Sequence, residues 1–160
     1  MFEIQALSVS RLSAAIALTC SVFPNPPLPE HPALSLPLSL GSNRLIRLLG
    51  LINLVYWVAI KDNRVIGITG LYSWGSEPGI AWIGWTCVNP ADRRHQVGLN
   101  LLQTVIKHAR AFEYQQLKLW STDHPDYKIA NRMFESLEFK TIKAEPDDSA
   151  FHRIERTLLL

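Results

Sequence analysis

The stretch from Val88 to Leu102 limits what this chain can fold into more than any other. It reads Val-Asn-Pro-Ala-Asp-Arg-Arg-His-Gln-Val-Gly-Leu-Asn-Leu-Leu. An apolar run ends at Val88, Asn89-Pro90 turns the chain, and a helical pattern runs from Gly98 to Phe112. In it Leu101, Leu102, Val105, Ile106, Ala109 and Phe112 share one stripe. Gln116 to Thr122 then reads as a strand. A strand, a crossover helix and a second strand make a right-handed parallel unit. The turn that opens the helix is basic. A helix N-terminus offers unpaired N–H groups and a partial positive charge, and Arg93 and Arg94 add donors beside it. Residue chemistry alone therefore expects an anion site, suited to a phosphate, at this strand-to-helix turn.

The other elements arrange themselves around that unit. Phe2 to Leu7 alternates as a strand, and Ser8 or Ser10 can cap a helix to about Cys20 with Leu12, Ala15, Ile16 and Thr19 on one side. Six of the ten prolines lie between Pro24 and Pro37, which predicts an irregular segment. It is either a lid or binding wall, or a surface excursion without function. Ser42 to Leu49 is expected as a short helix burying Leu45, Leu48 and Leu49. Leu54 to Ile60 is apolar on both faces, as in a central strand, and Asp62-Asn63 turns it back into Arg64 to Ser73. Gly67 and Gly70 leave room for a close neighbour. After a turn at Gly75 to Gly79, Ile80 to Val88 reads as one further strand. Asp126 to Leu137 is a second amphipathic helix, and Phe139 to Ala144 pairs with Phe151 to Leu158 around a polar Glu145–Ser149 turn. The order is β-α-α-β-β-β-α-β-α-β-β, an α+β chain with a mostly antiparallel central sheet and flanking helices.

Bulk properties narrow the function classes. At 160 residues, 48% hydrophobic and 19% charged, the chain suits a single domain, residues 1–160, with a real core. A net charge of +2 and the absence of a Lys/Arg run give no reason to invoke nucleic acid. Cys20 and Cys87 lie far apart, without metal-ligand spacing, so no metal is expected. Cys87 sits in an apolar strand as a reduced, packed thiol, which favours a reducing, cytoplasmic compartment. Leu12 to Phe23 is too short to span a bilayer and Glu3 spoils a basic leader, so this run is read as a core helix and no membrane partner is expected.

The order Val-x-Pro, Arg93-x-x-Gln96-x-Gly98 and an amphipathic helix resembles the acetyl-CoA pyrophosphate loop of the GNAT superfamily of N-acetyltransferases. That family's pattern is Gln/Arg-x-x-Gly-x-Gly/Ala. Arg93 and Gly98 match it, and Gln96 stands at the first glycine. Leu119-Trp120-Ser121-Thr122, followed by Ala130-x-x-x-Phe134-x-x-Leu137-x-Phe139, is similar to the family's later strand and helix, commonly Ala-x-x-x-Tyr-x-x-x-Gly-Phe. The element order matches too, so the resemblance covers nearly the whole chain and implies a GNAT-like sheet with a splayed parallel strand pair.

The resemblance implies acetyl-CoA as co-substrate and direct attack of an amine on its thioester. The loop Arg93, Arg94, His95, Gln96, Val97, Gly98, Leu99 and Asn100 is expected to wrap the pyrophosphate with backbone N–H groups. Cys87 and Val88 are expected to offer main-chain contacts to pantetheine, and Asn131 a side-chain contact. The strand position where many relatives carry a glutamate base falls in Trp82 to Thr86, which has no carboxylate. Glu77, Asp123 and His124 remain as candidate bases, His124 because histidine is the residue type that can take a proton near neutral pH. Phe134 occupies the usual Tyr acid position, and Tyr127 is the expected substitute. The acceptor is expected to be an amine-bearing small molecule or peptide. Trp57, Trp74, Trp82 and Trp85 would favour an apolar or aromatic part if they line its cleft. The rival reading is a non-catalytic acyl-CoA-binding sensor or interaction domain. Several relatives are homodimers, and no residue pattern here fixes the oligomeric state.

Overall fold

The computed structural model describes residues 1–24, 26, 30–147 and 150–160. Eight strands form one sheet: β1 (Glu3–Ala6), β2 (Leu51–Lys61), β3 (Arg64–Trp74), β4 (Ile80–Ile83), β5 (Cys87–Val88), β6 (Gln116–Thr122), β7 (Lys140–Pro146) and β8 (His152–Leu159). Their order is β1-β2-β3-β4-β6-β8-β7, with β5 paired to β3. Every pairing is antiparallel except β4 with β6. The β2–β3 hairpin closes through Asp62 and Asn63 at φ 48° and 62°, the two positive φ angles of a tight primed turn.

Among the described residues five α-helices cover the sheet: α1 (Val9–Val22), α2 (Pro32–Ser39), α3 (Asn43–Leu48), α4 (Val97–Ala111) and α5 (Lys128–Ser136). On one face Leu7, Ala15, Leu18 and Leu36 pack with Leu54, Tyr56, Val58, Ile68 and Cys87. On the other, α4 supplies Leu102, Val105, Ile106 and Ala109 against Trp57, Leu71, Ala81, Leu117 and Leu158. The expected α4 stripe is therefore buried, except that Phe112 sits just past the helix end and is exposed. Gly67 lets α4 lie close to β3, since a Cβ there would come within 2.9 Å of Leu101 Cδ1. At Gly70 a Cβ would overlap the Tyr56 ring.

Three expectations need correction. The Pro-rich segment is not wholly irregular, because Pro32 to Ser39 is α2. Pro32 takes the first turn, where its missing N–H costs nothing, His31 Nδ1 caps Ala33 N at 3.1 Å, and Leu36 anchors the helix in the core. Residues 25 and 27–29 of that segment, and 148–149 of the final turn, lie outside the described residues. In α3, Ile46 is the buried residue, while Leu45, Leu48 and Leu49 are exposed. A helix of under two turns can aim only a narrow arc inward, and Ile46 occupies it. Finally, Ile80 to Val88 is not continuous. Gly84 N continues the ladder to Gly70 O at 2.8 Å, and Thr86 Oγ1 bonds Gly84 O at 3.1 Å and Thr69 Oγ1 at 2.8 Å. Beyond Gly84 the register against β3 shifts by one residue, since Ile83 stands opposite Leu71 but Cys87 opposite Ile68, and this bulge breaks the run into β4 and β5.

Among the described residues no helix is long and apolar enough to cross a membrane, and no group of three or more His, Cys, Asp or Glu could hold a metal ion.

Candidate active site

The parallel ladder between β4 and β6 is short. It joins Ile80, Ala81 and Trp82 to Gln116, Leu117 and Lys118 and then stops. β6 continues to Thr122 alongside β8, while the chain after β4 stays with β3. The two strands therefore diverge and leave a wedge whose walls are β5 and the end of β6. Asn89 N donates to Ile66 O, and Cys87 and Val88 stand opposite Ile68 and Gly67. By antiparallel alternation Cys87 pairs with β3, and the Val88 N–H and C=O face the wedge. Arg93 Nε donates to that Val88 carbonyl at 3.2 Å.

The wedge leads to the start of α4. Arg93, Arg94, His95 and Gln96 are all exposed. Arg94 and Gln96 have φ of 65° and 60°, so two left-handed residues bend the loop around the helix end. Gln96 is the N-cap but caps nothing with its side chain. The first helical bond is Asn100 N to Gln96 O at 3.0 Å, so the first-turn N–H groups of Val97, Gly98 and Leu99 have no helical acceptor. Val97 and Leu99 flank this turn as packing residues: Val97 is buried and Leu99 half-buried. The Asn100 side chain is already engaged, donating to Gln96 O at 2.9 Å. At Gly98 an added Cβ would meet Met133 and Val88 only at ordinary contact distance, 3.5 Å or more. The protein itself tolerates a side chain there; its absence leaves space between the helix start and β5. Asp92, which sequence reasoning missed, is buried under the loop and reaches Lys61 at 3.3 Å.

The catalytic candidates separate. Tyr127 ends a 3-10 turn (Pro125–Tyr127) that precedes α5. Burial raises its phenol pKa, with a smaller contribution from Asp126. Asn131 Nδ2 donates to Thr122 O at 2.8 Å, and its Oδ1 is buried without a partner. His124 is differently employed. Its Nδ1 accepts from Asp126 N at 3.2 Å, which uses the lone pair a base would need, and Phe151 packs on its ring. Asp123 binds His152 N and Nδ1 at 2.7 and 2.8 Å, and these bonds hold its carboxyl below the usual carboxylate range. Glu77 Oε2 accepts from Trp82 Nε1 at 2.9 Å. Phe134 is buried against Phe139, a core residue. Burial pushes the Cys87 thiol up to about 12, so it stays protonated at neutral pH.

Trp57 is buried on the α4 face against His108, away from the other tryptophans. Trp85 packs on Phe23 and donates to Glu30 O at 2.7 Å. Sequence reasoning missed Trp120. It stacks on Trp82 at 5.5 Å, Trp82 stacks on Tyr72 at 6.5 Å, and Arg153 lies 3.8 Å over Trp120. No local signal could have found this row, because its residues come from four strands.

This architecture recurs in solved structures. A protein from Desulfovibrio desulfuricans assigned to the GNAT acetyltransferases shares 14% identity, covers 99% of each chain and superposes with a TM-score of 0.80. Ribosomal-protein-alanine N-acetyltransferase from Brucella melitensis gives 15%, 99% of each chain and 0.73. NAA60 from Arabidopsis thaliana, solved in complex with acetyl-CoA, gives 13%, 100% of this chain, 99% of that chain and 0.75. No curated protein sequence matches the chain. At such identities the structures establish the fold. The sequence establishes the family: the model of the acetyltransferase (GNAT) family matches residues 27–139, which take in β4, the wedge, the Arg93–Asn100 loop and α5. The chain therefore belongs to the GNAT family of acetyltransferases and is an acyltransferase enzyme.

Proposed function

We propose that the enzyme transfers the acetyl group of acetyl-CoA directly to the nitrogen of a small-molecule or peptide amine, and that residues 1–160 act as one catalytic domain. The observation that carries this reading is the wedge between β4 and β6, running into an uncapped α4 N-terminus flanked by Arg93 and Arg94. The residues fit the co-substrate. Free N–H groups of the first α4 turn and the two guanidinium groups suit the pyrophosphate, and Gly98 leaves room for its approach. The Val88 backbone and the orphaned Asn131 Oδ1 suit the amides of pantetheine. His95 adds donor capacity at the loop's outer edge, and Leu99 and Val97 hold the turn in place.

Acetyl-CoA supplies an activated acyl group with a thiolate leaving group. The acceptor nitrogen forms the new C–N bond as the C–S bond breaks. Tyr127 is the acid in this reading: its raised pKa keeps the phenol protonated, ready to give its proton to the leaving sulfur. The acceptor's proton leaves to water or to a carboxylate at the wedge mouth. His124 is not assigned as base, because its Nδ1 is committed to the helix cap. Two free cysteines, one of them a packed thiol, support a cytoplasmic setting.

Calorimetric titration with acetyl-CoA tests the site. Micromolar binding is expected, weakened about tenfold or more in Arg93→Ala/Arg94→Ala, since each charge-assisted bond contributes roughly 1.5–3 kcal/mol. No binding by folded protein at millimolar acetyl-CoA would end the catalytic reading in favour of an interaction domain. Tyr127→Phe is expected to lower kcat by about 10²-fold or more with acetyl-CoA affinity unchanged. Unchanged turnover would remove Tyr127 from the mechanism.

A further inference from the structure

The sheet face beside the wedge mouth carries an organised set of groups that acetyl-CoA does not explain. Tyr72 on β3, Trp82 on β4 and Trp120 on β6 stand on the same face, with successive ring planes within 16° of parallel. Trp120 lies two residues beyond Lys118, the last β6 residue paired with β4, so it stands where the strands part. Leu117 and Leu119 point to the opposite face, into the α4 core. The helices α1 and α2 pack over β2 and β3, and among the described residues no helix lies above the row past Tyr72: Trp82 is buried, and Trp120 remains 37% exposed.

Charge along the row is ordered. At the Trp120 end the Arg153 guanidinium lies over the ring, its carbon 3.8 Å from the centroid. It is exposed and has no hydrogen bond or ion pair among the described residues, so its donors are held in place but unused. At the Tyr72 end lie Glu77, bonded to Trp82 Nε1 at 2.9 Å, and Glu30, whose backbone is tied to Trp85 Nε1 at 2.7 Å. Burial raises the Tyr72 phenol pKa, the two carboxylates add to the rise, and Arg153 opposes it. The remaining cation, Lys118, is neutralised by Glu155 at 2.9 Å.

We propose that this face is the acceptor site and that the acceptor is a small amine carrying a carboxylate and an aromatic or apolar body. The proposal rests on the acetyltransferase reading above. The amine, on the carbon next to the carboxylate, sits at the Trp120 end, where β4 and β6 part and the thioester would lie. The carboxylate takes the free fork of Arg153, and the body packs on the exposed part of Trp120. A simple cationic amine would leave Arg153 unpaired and facing a like charge. Arg153 is thus a specificity-determining residue, with Trp120 as its positioning residue.

Thiol release from saturating acetyl-CoA, with L-phenylalanine, L-phenylalaninamide and phenethylamine as probes, tests this. The kcat/KM for phenylalanine is expected to exceed the other two by about tenfold or more. Arg153→Met should erase that preference through the KM for phenylalanine, and Arg153→Lys should restore part of it. The proposal is overturned if phenethylamine or the amide serves as well as phenylalanine. It is equally overturned if Arg153→Met keeps the preference. So too if no probe is turned over and none changes tryptophan fluorescence saturably in the presence of CoA. Calorimetry on the same sample separates the two readings: absent acetyl-CoA binding sinks the acetyltransferase reading itself, whereas intact binding without discrimination sinks only the acceptor class.

Discussion

Gln96 holds φ at 60° and ψ at 8°, a conformation that an L side chain occupies at a cost of about 1–2 kcal/mol. Glu138 does the same at φ 68°, just past the end of α5. Both stand where the family pattern carries glycine, so the backbone geometry has been kept while the residue has changed. The gain from glycine is partly offset, because it frees the unfolded chain by roughly 0.5–1 kcal/mol. Gln96→Gly is therefore expected to stabilise the protein by about 0.5–1 kcal/mol, or roughly 1–4 °C in Tm at this chain length. The bonds from Asn100 to Gln96 O involve only the backbone carbonyl and survive the change. A thermal melt decides it. A lower Tm would mean that the Gln96 side chain contributes more than its strained backbone costs.

Elements in this chain start in a recurring way. His31-Pro32, Asn89-Pro90 and His124-Pro125 each open a helical turn, and each residue before the proline accepts from the backbone N–H two residues on, at 3.1–3.2 Å. Proline fixes the first turn without wasting a donor, and its neighbour supplies the cap. This explains why the Pro-rich segment hides α2, and why His124, legible as a titratable group, is committed to structure instead. The α4 stripe, the β2–β3 hairpin and the span of β6 were legible because periodicity and turn chemistry are local. The Arg93–Asn100 loop was legible for the same reason. The break between β4 and β5 was not: Ile80 to Val88 is apolar throughout, and the hydroxyl pair Thr69–Thr86 that helps close it spans two strands. The Tyr72–Trp82–Trp120–Arg153 row was invisible too, because only sheet order brings these positions side by side.

At the scale of the whole molecule the sheet has a seam. β2 and β3 pair along most of their eleven residues and β6 pairs with β8 over seven, but only three residue pairs join β4 to β6. The seam is stitched at one end, where Gly79 O accepts from Gln115 N and Gln116 N at 2.8 and 3.1 Å. On one face α4 bridges it, since Leu71, Ala81, Leu117 and Leu158 share its core. On the other face the core of α1 and α2 stops at the first half of the sheet. A ligand that fills the wedge therefore adds contacts across the weakest junction. Acetyl-CoA at about 100 times its Kd should stabilise the fold by about 2.7 kcal/mol, or roughly 5–10 °C in Tm. Amides that exchange only through global unfolding will slow everywhere, so they carry no positional information. The informative amides are those already open in the free protein: Val88 at the wedge edge, and Val97, Gly98 and Leu99 at the α4 start. Hydrogen exchange at these four should slow in the complex beyond the global gain, while exposed amides of β7 should not. A rise in Tm without local protection at these positions would put the ligand somewhere other than the wedge.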